Sequence, residues 1–175
     1  MARNGSSKLS KKGGCVLRRR ELALRFWQTI PSTLSALEKV IARVMRVARA
    51  MECAKGELPK VELALREALT NAIVHGSGGD PKKRVAVCCL CDEARGMLLV
   101  IRDSGPGFDP TEVPDPTHAE NIYRTHGRGV YLMRQLMDEV HFFDGGRQVV
   151  MAKAARKARS GRRVTASALH RSAGA

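Results

Sequence analysis

The chain predicts a two-layer α+β domain, a mixed or antiparallel sheet with helices on one face, and three observations carry that prediction. Its periodicities follow the order strand, helix, helix, strand, strand, long loop, helix, strand, strand, which packs as helices over one sheet. At 175 residues and 43% hydrophobic, the chain can bury one sizeable core and not two. Its charge is also segregated. Residues 1–20 carry seven Lys/Arg and no acid, residues 152–175 carry seven and none, and 21–151 carry 17 of each sign. A neutral domain therefore lies between basic flanks, and three segments are expected: a disordered basic segment over 1–16, the domain over 17–152, and a basic mobile tail over 153–175.

Residues 1–16 are rich in Gly, Ser and Lys and hold too little apolar surface to pack. A strand is expected near Leu17 to Trp27, stopped by Pro31-Ser32, where Ser32 supplies the N-cap of a helix reaching about Met51. In that helix Leu34, Leu37, Ile41, Val44, Met45 and Ala48 recur at helical spacing, and Lys39, Arg43, Arg46 and Arg49 form a basic stripe that reads as a solvated face. A second helix runs from Leu58 to about His75, with Gly76 as its C-cap. Arg84–Cys91 and Gly96–Arg102 read as an antiparallel hairpin. Asp103 to Gly127 holds three Gly and four Pro, a long loop of the kind that is usually functional. A third helix is expected from Arg128 to about Asp138. Strands near Val140–Phe143 and Gln148–Ala152 then flank the turn Asp144-Gly145-Gly146.

The composition excludes several classes. No 7 to 15 residue apolar run follows Lys8, Lys11 and Lys12, as a signal peptide would require, and no stretch approaches the ~20 apolar residues of a membrane span. A cytoplasmic protein is expected. The formal charge of +14 points to nucleic acid only as a non-specific partner of the flanks, because the domain itself is neutral. Cys88, Cys89 and Cys91 lie in a strand, and Cys88 with Cys91 lacks the second pair that a zinc site needs. They read as buried or half-buried thiols in a reducing compartment.

Three short segments carry chemistry. On the second helix Val61, Leu65, Ala68, Leu69, Ala72 and Ile73 form the core stripe, and Glu67 and Asn71 fall nearly opposite it, one turn apart. Leu63, Ala64 and Val74 make the helix apolar almost all round. A carboxylate and a carboxamide set in such surroundings need a polar guest. Asn71 suits a hydrated Mg²⁺ bridging phosphates, which leaves Glu67 as general base. Asp103 ends a strand and is followed by Gly105 and Gly107. An Asp there can accept from an exocyclic amine, and alternating glycines let backbone approach a ligand. Gly127-Arg128-Gly129 opens a helix, whose free N–H groups and positive dipole end suit a phosphate.

Taken together and in this order, Glu67-Ala-Leu-Thr-Asn71-Ala-Ile-Val-His-Gly76 resembles the N box of GHKL ATPases, Asp103-Ser-Gly-Pro-Gly107-Phe the G1 box, and Gly127-Arg-Gly129-Val-Tyr-Leu-Met the G2 box. The resemblance spans roughly residues 17–152, and Leu136-Met-Asp-Glu-Val140 looks like the anti-sigma serine/threonine kinases of bacterial partner-switching systems. It implies the Bergerat ATP-binding fold. It also implies that Glu67 is the catalytic base and Asn71 the Mg²⁺ ligand. Asp103 would read adenine, Gly105 and Gly107 would form the adenine-side turn, and Gly127 and Gly129 the phosphate-side backbone. Arg124 and Arg128, flanking the end of the lid, could reach the γ-phosphate. Where the family usually carries a Thr on the last strand, this chain offers Arg147 and Gln148, which puts that contact in doubt; His75 reads as structural and His126 is left unassigned.

The function so implied is that of an anti-sigma factor and protein kinase. With Mg-ATP it would phosphorylate a Ser or Thr of an anti-sigma-factor antagonist of STAS type, alternating with sequestration of a sigma factor. Residues 108–126 would act as a nucleotide-ordered lid, and a homodimer through the sheet or first strand is implied. The rival reading is a GHKL-fold module that holds a partner without kinase activity.

Overall fold

The computed structural model describes residues 23–110 and 128–155, and the side chains from Phe26 onward. Five strands, β1 (Ala23–Pro31), β2 (Arg84–Asp92), β3 (Gly96–Arg102), β4 (Glu139–Phe143) and β5 (Gln148–Ala154), form one sheet in the order β1-β2-β3-β5-β4. Every pairing is antiparallel. Among the described residues three α-helices, α1 (Leu34–Ala50), α2 (Leu58–Thr70) and α3 (Arg128–Leu136), accompany the sheet and make the fold α+β.

Alternation along the strands sorts the core. Val85, Val87, Cys89 and Cys91 of β2, with Met97, Leu99 and Ile101 of β3, join the helices' apolar residues in one cluster. The intervening Cys88, Leu90, Leu98 and Ala152 form a second, smaller cluster. From α1, Leu37, Val40, Ile41, Val44, Met45 and Ala48 are buried, whereas Leu34, expected in that stripe, is 63% exposed. It occupies the first helical position, before the stripe has turned toward the sheet. The basic stripe is solvent-facing as expected, and Arg43 lies 5.2 Å from the centre of the Phe26 ring and donates to Gln28 at 3.1 Å. Arg66 of α2 forks onto Glu38 of α1, one arm at 3.1 Å.

Several boundaries move. β1 runs beyond Trp27 as far as Pro31, the residue expected to stop it, because an edge strand tolerates a proline at its end; the expected residues 17–22 of that strand lie outside the described ones. The N-cap of α1 is Thr33, whose Oγ1 accepts from Ala36 N at 3.3 Å, and not Ser32. The buried Ser32 hydroxyl instead donates to the Ile73 carbonyl at 3.3 Å, tying the start of α1 to the end of the second helical segment. β5 extends through Lys153 and Ala154, which were expected in a mobile tail. Lys153 is 7% exposed, and its Nζ donates to Leu136 O at 2.9 Å and Asp138 Oδ1 at 3.0 Å, with Glu57 3.6 Å away. A buried ammonium is tolerable only with such partners. The expected segment 1–16 and the remainder of the tail from 156 lie outside the described residues.

The cysteines depart most from expectation. Cys88 and Cys89 are buried thiols, but Cys91 is joined to Cys53 in a disulfide, Cα atoms 5.9 Å apart. The bond fastens the α1–α2 connection to the end of β2. Sequence offered no route to this pairing, because Cys53 lies 38 residues before its partner in a segment without strand or helix periodicity. No described helix is long and apolar enough to cross a membrane.

Candidate functional site

The helical segment that begins at Leu58 changes pitch inside the motif it carries. α2 is α-helical to Thr70, and Asn71–Gly76 is a π turn, in which Ser77 N donates back to Ala72 O at 2.9 Å and Gly79 N reaches Ile73 O at 2.8 Å. A π turn inserts an extra residue into the helical repeat and is common at functional sites. Here it starts at Asn71. The core stripe Val61, Leu65, Ala68, Leu69, Ala72 and Ile73 is buried as expected, and Glu67 and Asn71 on the other side are half-buried. The surroundings are wetter than the sequence implied, since Leu63 is exposed and Val74 is 44% exposed.

The first turn of α3 comes down on this pair. A Cβ added at Gly129 would stand 2.9 Å from Glu67 Oε2 and 3.4 Å from both Asn71 Nδ2 and Oδ1. The N-terminus of a nine-residue helix, with its outward N–H groups, therefore abuts a carboxylate and a carboxamide. Such a juncture offers hard oxygen donors beside an anion-attracting backbone. Arg128 is exposed at that terminus. Gly127, Arg124, His126 and most of the expected lid, 111–126, lie outside the described residues.

Asp103 is held by backbone on several sides. Its N–H donates to Arg147 O at 3.0 Å, and its Oδ1 accepts from Gly105 N at 2.7 Å. Burial pushes its carboxyl above the usual carboxylate range, against the opposing pull of the Gly105 N–H, its own N–H, Arg147 and Lys83. Gly107 has φ +83°, which favours glycine, and a Cβ there would overlap the Gly145 carbonyl. Phe108 N donates to that same carbonyl at 2.9 Å, and the Phe108 ring meets Phe142 edge-on at 5.4 Å. The turn between β4 and β5 thus forms the outer wall of the Asp103 loop. Arg147 enters it through its carbonyl, and its Nε donates to Asp144 O at 2.8 Å.

Gly76 was expected to cap a helix. It lies instead inside the π turn, Ser77 being the cap, and its role is contact: a Cβ on it would overlap the Asp103 carboxyl group, 2.5 and 2.7 Å from the two oxygens. A Cβ on Gly105 would in turn overlap the Gly76 carbonyl oxygen. Sequence reading missed Gly76 as a site residue because a glycine at a helix end already had a sufficient explanation. The available signal was a third glycine beside the Gly105, Gly107 pair. His75 is exposed beside it.

Three segments far apart in the chain therefore converge: Glu67 to Gly76, Asp103 to Phe108, and the start of α3. The family whose members carry a histidine kinase-like ATPase domain matches this chain over residues 30–153. The chain belongs to that family. It is 34% identical over 125 residues to the anti-sigma F factor of Bacillus cytotoxicus, and 35% identical over 127 residues to that of Bacillus cereus. Each alignment covers 70% of this chain and 82% of the relative. A third anti-sigma F factor, from Bacillus thuringiensis, is 33% identical over 125 residues, with the same coverage. The GHKL superfamily and its anti-sigma-factor kinase branch are thereby the chain's setting, and an ATPase domain of this kind binds ATP.

Proposed function

We propose that the protein is an anti-sigma factor that uses Mg-ATP to phosphorylate a Ser or Thr of its own antagonist, a protein of STAS type, and that it sequesters a sigma factor between cycles. The observation that carries this reading is the seat of Gly129 against Glu67 and Asn71. It sets a helix N-terminus suited to phosphates beside a general-base candidate and a metal-ligand candidate. Likeness to the anti-sigma F factors supplies the partner class.

The donors fit magnesium: an amide oxygen and a neighbouring carboxylate are hard oxygen ligands, and Mg²⁺ takes few of these while keeping its waters. Asn71 would hold the ion, which when bound neutralises phosphate charge. Glu67 accepts the proton of the attacking hydroxyl. The Asp103 carboxylate accepts from the adenine amine, with Gly105 and Gly107 letting backbone close on the base. Gly127 and Gly129 give the phosphates backbone N–H groups, and Arg128, like Arg124, can reach the γ-phosphate. A homodimer, a cytoplasmic location, a lid over 108–126 and non-specific nucleic-acid contact through the basic flanks complete the proposal.

Calorimetry and phosphotransfer together test it. The wild type should bind ATP in a Mg²⁺-dependent way, and Asn71→Ala should lose most of that affinity. Glu67→Gln should keep binding but transfer phosphate to the antagonist about 10²- to 10⁴-fold more slowly, the usual size of general-base catalysis. Binding with no transfer to any antagonist by the wild type would leave a partner-holding module without kinase activity.

A further inference from the structure

We infer that Gly76 is the positioning residue for base recognition: its missing side chain creates the seat in which the Asp103 carboxylate can face an exocyclic amine. The inference rests on the ATP-binding reading above and adds to it a residue that is given no nucleotide contact there.

Asp103 is held at its main chain and at one oxygen, which leaves rotation of the carboxylate as its remaining freedom. Its main chain is fixed by the bond from its N–H to Arg147 O, and Oδ1 is taken by Gly105 N at 2.7 Å. Among the described residues no hydrogen bond reaches Oδ2, so that oxygen is available to an incoming donor. The remaining side of the carboxyl group is closed by the Gly76 main chain, so tightly that the positions of an added Cβ and the carboxyl carbon overlap. The same residue's carbonyl oxygen fills the place where a Gly105 side chain would be. Gly105 thus needs its missing side chain to receive the Gly76 backbone, and Gly76 needs its own to receive the Asp103 carboxyl group. Neither element can retreat easily: Ser77 N and Gly79 N tie the π turn to Ala72 and Ile73, and β3 is paired along its whole length with β2 and β5. A methyl group on Gly76 is therefore relieved by turning the Asp103 carboxylate, the one movable party. That withdraws Oδ2 from its direction without touching phosphate-side residues.

The contact also explains why the π turn ends where it does. It runs from Asn71, on the phosphate side, to Gly76, on the base side, so one change of pitch sets the two halves of the site relative to each other. Gly76 is the end of that spacer.

The test compares ATP with purine riboside triphosphate, which lacks the 6-amino group, by calorimetry on the full chain. The wild type should prefer ATP by about 10- to 100-fold, the range of a hydrogen bond to a charged group. Gly76→Ala should lower ATP affinity to the level of the analogue and leave analogue affinity within about twofold, since only the amine contact is lost. Asp103→Ala should do the same, and the double variant should lose nothing further, as expected for residues acting through one contact. Equal weakening of both nucleotides in Gly76→Ala, or an undiminished preference for ATP, overturns the inference. If Gly76→Ala folds poorly, the double variant decides, because removing the carboxylate removes the clash. Its thermal midpoint should return to that of Asp103→Ala, and a midpoint that stays low overturns the inference. A wild type that binds neither nucleotide instead overturns the ATP-binding reading on which it rests.

Discussion

One carboxyl group, Asp103, gives two pH effects of opposite sign. Burial raises its pKa in the folded protein, against weaker opposing pulls from nearby N–H groups, Arg147 and Lys83. A carboxyl whose folded pKa lies above its unfolded value favours the folded state most when protonated, so its contribution to stability falls as pH rises through the raised value. On the proposed reading nucleotide binding uses the anion as acceptor, so affinity should fall as pH drops through that same value, beginning at a higher pH than an ordinary aspartate would give. The measurement is ATP affinity against pH for the wild type and for Asp103→Asn, so that titration of the phosphates cancels. The difference profile should bend above the usual carboxylate range; a bend within that range, or none, means that the group does not meet the base. Asp138 behaves in the reverse sense. Burial pushes its carboxyl up, but the Ala154 N–H and Lys153 outweigh that and hold it below its ordinary value, so its stabilising effect is lost only as pH falls through the lowered value.

At the scale of elements, the Cys53–Cys91 bond is the strongest statement made by any connection. It closes a loop of 38 residues containing all of α2 and the π turn, and a crosslink of that length contributes about 3–4 kcal/mol by restricting the unfolded chain. Denaturant unfolding with and without a dithiol reductant should show a loss of that order, and a Cys53→Ala, Cys91→Ala chain should not respond to the reductant at all. What sequence could foresee at this scale follows periodicity. The hairpin Arg84 to Arg102, the core stripe of α2 and the start of α3 at Arg128 came out as read, because each is a local pattern with a local cause. What it could not foresee is set by distant partners. Ser32 looks like a cap and serves Ile73 instead, Lys153 looks like a tail residue and is neutralised by Asp138 and Glu57, and Gly76 looks like a helix stop and is a contact surface for Asp103. The Glu67, Asn71 and Asp103 set was visible because its spacing is a motif. The wall contributed by the β4–β5 turn was visible only as the unexpected Arg147 and Gln148.

Across the whole molecule, the start of β1 and the end of β5 lie at one end of the sheet and the candidate site sits at the other. Ala23 pairs with Cys91, Gly96 pairs with Ala154, and Ala155 N donates to Arg95 O at 3.0 Å, so the start of β1 and the end of β5 both lie beside the β2–β3 turn. Asp103 follows the far end of β3, about 20 Å away at the usual rise per strand residue. Replacing the cations of the flanks should leave ATP affinity unchanged, because the proposed nucleotide contacts all belong to the neutral domain over 21–151. Their predicted readout is polyanion binding. If about half of the 14 cations in 1–20 and 152–175 meet phosphates, the logarithm of duplex-DNA affinity should fall with that of salt at a slope of about −6. Replacing Arg18, Arg19 and Arg20 by Gln, or Arg156, Lys157, Arg162 and Arg163 by Gln, should each flatten that slope while calorimetry with ATP stays the same. A slope that survives both sets would move the contact to Lys39, Arg46 and Arg49, the exposed stripe on α1. That stripe lies on a helix whose other face is buried in the core, so a slope lost on its neutralisation would place the polyanion contact on the folded domain itself.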